Sequence, residues 1–240
     1  MASDLAVAET PPKYHGSGRH VDVIILMSMV ATVASFAEAL VHGGWIAGTI
    51  VTSLLTIAWL VYAFAIDNRF LVDLWLFGIT AGLAELASDC VIVHRNILVY
   101  AGGGPFVACS PLYMPFGWAT ELAEFAFLAH VLLWHLGWSV PRTMIVTALV
   151  SASQMPLSEY LARSAHLWHY QDVPMFLNTV PYFIISTEFL VALPLPLITN
   201  FLHRVKERSR LISMWWGVAM GLLLGVWILI AASISLWFFS

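Results

Sequence analysis

Charge is the scarcest commodity in this sequence. Aspartate, glutamate, lysine and arginine make up 10% of its 240 residues, against about 25% in ordinary soluble domains. A chain so poor in charge cannot clothe its surface for water, so an ordinary soluble domain is excluded and no nucleic-acid partner is expected. Lysine is nearly missing. Only Lys13 and Lys206 occur, both outside the apolar runs, so no helix offers the Schiff-base lysine of a retinal protein. Cysteine is limited to Cys90 and Cys109. They pair if their side of the membrane is oxidising, and otherwise act as small buried apolar residues. The alternation of polar and apolar residues that marks membrane β-strands is also lacking, which leaves helices to satisfy the backbone.

What remains is apolar: 60% of the residues are hydrophobic and the mean hydropathy is +0.86. Seven runs approach or exceed the roughly 20 residues a helix needs to cross a hydrocarbon core of about 30 Å. They cover 21–41, 44–66, 71–94, 113–137, 141–162, 175–198 and 211–239; the fifth carries Pro156 and a polar end. The expected fold is an all-α, polytopic seven-helix membrane bundle over 21–240. Residues 1–20 read as a flexible cytoplasmic tail, since they lack the basic start and apolar run of a signal peptide.

Basic residues set the expected orientation. Lys13, Arg19, Arg69, Arg142, Arg204, Lys206, Arg208 and Arg210 fall on one side, and only Arg95 and Arg163 on the other. The positive-inside rule then places the N-terminus in the cytoplasm and the C-terminus outside. Two outer connections are unusual. Residues 95–112 hold Tyr100, Gly102, Gly103, Gly104, Pro105 and Pro111, and residues 163–174 hold His166, Trp168, His169, Tyr170 and Pro174. Such loops read as lids over a site, or as aromatic anchors at the headgroup level. No convincing internal repeat is evident.

Against this background the acids stand out. Glu38, Glu85, Asp89, Glu121, Glu124 and Glu188 lie inside apolar runs, with Glu159 near the end of another. Each intramembrane acid costs roughly 2.5–3.5 kcal/mol on insertion scales unless it is paired, protonated or facing a cavity. Glu85 and Asp89 share a helix face at i,i+4, and Glu121 and Glu124 at i,i+3. Most cluster in the outer half of the expected bundle. Carboxylates brought together in an apolar pocket cannot all ionise cheaply. A neutral one can protonate an alkene or epoxide while an ionised neighbour stabilises the cation or takes a proton back. Glu85, Asp89, Glu121, Glu188 and Glu159 are the catalytic candidates. Trp118, Tyr113, Trp168, Tyr170, His166 and Asn178 are the substrate contacts, aromatic faces being suited to a passing cation. The competing reading is that an acid only bonds helices together, most of all Glu38 and Glu124. His130 and His135 read as interfacial. His166 and His169 lack the supporting Cys/His cluster of a metal site, so neither metal nor cofactor is expected.

Two stretches carry a family resemblance. The first joins Glu85, Tyr100, the Gly102–Gly104 run and SPLYMPFGW, residues 110–118; the second is SEYLARSAHLWHYQDVPMFLNTVPYFIISTEF, residues 158–189. Together they resemble membrane carotenoid-biosynthesis proteins, among them carotenoid hydratases and the small membrane lycopene cyclase domains. In general design the chain is similar to the membrane terpene cyclases, small seven-helix proteins with two essential acids. The resemblance implies cofactor-free protonation of a long isoprenoid. Glu85, Glu159 and Glu188 would match the acids, Pro115 and Trp118 a structural motif, and Trp168, Tyr170 and Pro181 the second loop. The expected activity is cyclisation, hydration or isomerisation of a terpenoid or carotenoid taken from the bilayer, with membrane lipids and a further copy of the chain as other partners. The alternatives are a proton- or cation-coupled transporter using the same acids, and an assembly subunit.

Overall fold

The computed structural model describes residues 19–204 and 209–239. The tail expected over 1–20 lies outside the described residues except for its last two positions, which already begin a helix. Lys13, Lys206 and Arg208 also lie outside them.

Helices dominate: α1 (Arg19–Val41), α2 (Gly44–Ala65), α3 (Arg69–His94), α4 (Tyr113–His130, continued by a π turn Val131–His135), α5 (Val140–Ser164), α6 (Tyr182–Ala192), α7 (Leu195–Arg204) and α8 (Leu211–Phe239). Six stretches among the described residues are long and apolar enough to cross a membrane. They are α1, α2, α3, α4 with its π turn, α6 with α7, and α8. The chain is thus all-α and built as a multi-pass membrane protein.

Helix α5 has the length, 25 residues, but a polar stripe keeps it off that list. Thr143, Thr147, Ser151, Met155 and Glu159, four residues apart, are all buried, so its polar atoms face the bundle. The sixth run, expected as a helix over 175–198, is corrected at both ends. Residues 175–181 form a hairpin, the helix starts at Tyr182, and it runs on to Arg204. Its interruption falls at Leu193 and Pro194, where proline removes a backbone donor. The Pro194 carbonyl then accepts from Leu197 and Ile198 at 3.0 and 3.2 Å and restarts the turn.

Helix α3 is the central post, packed against both α4 and α8. Small residues allow the close approach. Gly78 and Gly82 face the backbone of Ala119 and Pro115 on α4, while Gly217 and Gly221 on α8 face the backbone of Phe77 and Ala81. This four-residue spacing of glycine is the usual way for helices to pack tightly in lipid, where apolar burial alone gives no driving force.

Six short strands lie in the two connections. β1 (Leu98–Tyr100) pairs antiparallel with β4 (Trp168–Tyr170) in the register Leu98↔Tyr170, Val99↔His169, Tyr100↔Trp168. β2 (Phe106–Val107) pairs with β3 (Ser110–Pro111), and β5 (Met175–Phe176) with β6 (Val180–Pro181). Outside the β2–β3 and β5–β6 hairpins, whose registers differ by one residue, these connections repeat one another. One constant shift in residue number carries Asn96, at φ 57°, to His166, at φ 60°. It also carries Val99 to its own pairing partner His169, and Pro111 to Pro181. The flanking bonds obey the same shift: Ala101 N to Leu167 O matches Gln171 N to Ile97 O, both 3.0 Å. A pseudo-two-fold axis therefore passes through the β1–β4 ribbon and relates α3–α4 to α5–α6. The expectation of no internal repeat is overturned.

Candidate active site

Beneath that ribbon lies a cavity of about 560 Å³. Most of its walls come from the halves of the helices nearest the two connections, with Ser28 of α1 and Leu128 of α4 reaching past mid-helix. α2 contributes residues 48–55, α3 residues 85–92, α5 residues 154–165, and nothing comes from α7. All seven acids singled out in the sequence line it: Glu38, Glu85, Asp89, Glu121, Glu124, Glu159 and Glu188. Trp118, Tyr113, Trp168 and Tyr170 line it as well. No lysine, arginine or histidine does, among the described residues.

The acids differ in how fully they are bonded. Asp89, near the end of α3, accepts from the Tyr100 hydroxyl and from Ser110 Oγ. Glu159, near the end of α5, accepts from Trp168 Nε1 at 2.7 Å and from the Tyr170 hydroxyl at 3.1 Å. In each case the helix stops, one left-handed residue turns the chain, and a strand lays its tyrosine back over the acid 11 positions earlier. Burial pushes the Tyr100 phenol well above its ordinary value, and the Asp89 carboxylate adds to the effect. The Tyr170 phenol is raised in the same way, by burial and then by Glu159. Both therefore remain donors.

The other acids are sparsely bonded. Glu85 is 1% exposed; its Oε1 accepts from Ser88 at 3.2 Å, while Oε2 has no hydrogen-bond partner. The Trp118 indole N–H, within electrostatic reach of Glu85, is also unbonded. Glu121 holds one bond, from Gln154 Nε2 at 2.7 Å, and Glu188 one, from Ser151 Oγ at 3.0 Å. Glu188 lies within electrostatic reach of Glu85, Glu121 and Glu159, and Glu121 within reach of Glu124 and Glu159 as well, so these two acids join the set.

Tyr113 is buried, its hydroxyl occupied by the Leu167 carbonyl at 3.0 Å and its ring stacked on Trp168 at 6.0 Å. Two expected contacts fall elsewhere. His166 is exposed and stacked on His42 at 4.8 Å, because its left-handed backbone is what turns the chain out of α5. Asn178 is exposed in the β5–β6 turn at φ 54°, and its carbonyl accepts from Arg163 at 2.8 Å. Neither lines the cavity. His130, expected at the interface, is buried among Phe70, Phe127 and His203.

One feature escaped the sequence, and two that it left open are resolved. Ser28, Thr32, Ser35 and Glu38 form one polar face of α1 along the cavity wall, a spacing of four, three and three that marks a helix face. Glu38 therefore faces the cavity; its Oε1 is unbonded, where a helix-bonding role would have supplied a partner. Cys90 and Cys109 form a disulfide. It sits one residue from Asp89 and one from Ser110, and so clamps their hydrogen bond.

The sequence model of a family described as a domain of unknown function, DUF6989, matches residues 86–239, well over half of the chain. No curated protein matches, and no solved structure does. The matched stretch takes in both connections, the ribbon and the acids from Asp89 to Glu188. The chain belongs to the DUF6989 family.

Proposed function

We propose that this protein is an integral-membrane enzyme that moves protons between buried carboxyl groups and an isoprenoid held in the cavity, to cyclise, hydrate or isomerise it. One observation carries the reading. Seven carboxyl groups and five aromatic side chains line a single cavity to which, among the described residues, no cationic side chain contributes. Seven negative charges cannot coexist there without protons or a cation to offset them. Acid groups that keep protons in an apolar pocket are the donors such chemistry requires, and Trp118, Trp168 and Tyr113 offer ring faces to a carbocation. Glu85 takes the donor role, and Glu188 and Glu121 the roles of charge stabiliser and terminal base. The likeness to carotenoid-biosynthesis proteins and terpene cyclases supports the same substrate class. The cavity reaches past mid-helix at Ser28 of α1 and Leu128 of α4 but draws no wall from α7 or from the remote halves of α3 and α5, which favours a blind reaction chamber over a transport path.

The same reading sets all seven helices across the bilayer, α6 and α7 acting as one, with a cytoplasmic N-terminus. Arg69, Arg142, Arg204 and Arg210 lie at helix ends opposite the cavity, whereas Arg95 and Arg163 lie beside it, in keeping with the positive-inside rule. A disulfide on the cavity side suits a non-cytoplasmic compartment.

The test is incubation of protein-containing membranes with a panel of isoprenoids, with products analysed by mass. A product isobaric with its substrate identifies cyclisation or isomerisation, and one heavier by a water identifies hydration. Glu85→Gln and Glu188→Gln proteins that remain folded should lose at least two orders of magnitude in rate. Full turnover in both variants, or proton flux in vesicles without any product, defeats the proposal.

A further inference from the structure

The pseudo-two-fold axis sorts the acids. The shift that relates the two halves of the ribbon carries Asp89 onto Glu159 and Tyr100 onto Tyr170, and the bond between acid and tyrosine is present in both halves. It carries Glu85 onto Met155, Glu121 onto Val191, and Trp118 onto Glu188. Asp89 and Glu159 are thus repeated, whereas Glu85, Glu121 and Glu188 are not, and neither are Glu124, which falls on Pro194, and Glu38 on α1.

The hydrogen bonding divides along the same line. Each repeated acid accepts two side-chain donors, one of them a phenol from the ribbon strand above; Glu159 takes one on each oxygen and Asp89 takes both on Oδ2. The unrepeated acids have at most one partner residue each, and Glu85 Oε2 has none while 1% exposed. A carboxyl group held by two donors has little freedom to release or capture a proton on a ligand. One held by a single donor keeps more of that freedom.

We infer that the cavity stands on a duplicated frame in which Asp89 and Glu159 are positioning groups. They hold Tyr100 and Tyr170, and with them the β1–β4 roof, over the cavity. Of the unrepeated acids, Glu85, Glu121 and Glu188, joined through Glu188, are the proton-carrying set. The trio's part in turnover rests on the enzyme reading above; the division of the acids does not, and it can be tested without a substrate.

Dicyclohexylcarbodiimide, an apolar reagent, reports the difference. A neutral carboxyl group gives its proton to a carbodiimide nitrogen while its oxygen adds to the central carbon. The O-acylisourea formed then shifts to a stable N-acylurea, with nothing lost from either reactant. The full chain in lipid nanodiscs is treated at neutral pH, digested, and its adducts are mapped by mass spectrometry. Glu85 should be labelled at least ten-fold faster than Asp89 or Glu159, with a second adduct on Glu121 or Glu188. Tyr170→Phe should free an oxygen of Glu159 and raise its labelling at least ten-fold; Tyr100→Phe combined with Ser110→Ala should do so for Asp89. A water-soluble carbodiimide should reach Glu85 only after Asp89→Ala opens the roof, and Asp89→Asn, which keeps an acceptor, should restore the exclusion. Equal labelling of Asp89, Glu159 and Glu85, or labelling of none of the five, overturns the division. If the labelling follows the expected pattern and no isoprenoid is turned over, the enzyme reading fails while the division stands.

Discussion

Tyr170 donates its hydroxyl to Glu159, 11 residues before it, at 3.1 Å. The bond ties the second strand of the roof to the end of α5, and the Trp168 indole donates to the same carboxyl group from two residues away. Loss of one donor to a buried carboxylate should cost about 1–3 kcal/mol. Tyr170→Phe is therefore expected to lower the unfolding temperature while leaving helix content at low temperature unchanged. Circular dichroism in detergent measures both quantities, and an unchanged midpoint would show that the bond contributes nothing to the fold.

Alkaline pH should loosen the same roof. Tyr100 and Tyr170 are both held well above the ordinary phenol value, by burial and then by the adjacent carboxylate. A phenol whose folded value exceeds its unfolded value of about 10 stabilises the fold fully below that pH. The contribution is lost as pH rises, because the unfolded chain then binds fewer protons than the native one. Chemical denaturation between pH 9 and roughly pH 12 should show stability falling more steeply in the wild type than in a Tyr100→Phe, Tyr170→Phe double variant. Equal slopes would contradict the assignment.

The disulfide acts on a neighbouring part of this structure. Cys90 and Cys109 are 19 positions apart, and a closed loop of that size restrains the unfolded chain by about 3 kcal/mol. Removing both thiols in Cys90→Ala, Cys109→Ala should lower stability by about that amount. It should also release Ser110 from Asp89, since the cysteines are the direct neighbours of both. After reduction, a membrane-impermeant thiol reagent applied from outside intact cells should label the pair. Labelling only from the cytoplasmic side would reverse the proposed orientation.

How much of this was legible in the sequence depended on how far each signal reaches along the chain. Helix positions came through well: 44–66 against Gly44–Ala65, and 71–94 against Arg69–His94, because twenty apolar residues have few other uses. The acids that share the cavity were identifiable too, since a carboxylate in an apolar run has few stable environments. The hairpin at 175–181 was read as helix because its residues are apolar and hydropathy does not register turns. His166 and Asn178 were assigned to ligand contact by residue type, whereas left-handed backbone geometry determines where they sit. The repeat was the largest omission. Its signature is an acid followed 11 positions later by tyrosine, then by proline, with little other identity between the halves, and the pairing of Val99 with His169 makes it visible only in three dimensions.

The seam between α3 and α8 gives a prediction independent of the cavity. A side chain at Gly221 would meet the Ala81 carbonyl and the Ala84 side chain, and one at Gly217 would meet the Phe77 carbonyl and Thr80. Backbone on the receiving side cannot rotate away, so the helices would have to separate. Overpacking of this kind costs about 1–3 kcal/mol even for modest insertions, and a branched side chain here should exceed that. Gly221→Leu is expected to abolish a monodisperse peak in detergent size-exclusion chromatography. Gly117→Ala, where an added carbon meets nothing within 4 Å, should leave the peak intact. Gly117 lines the cavity, so this variant also shows that a tolerated methyl group and a disruptive one can be told apart within one bundle. Normal behaviour of Gly221→Leu would mean that α8 is not held against α3 by backbone contact.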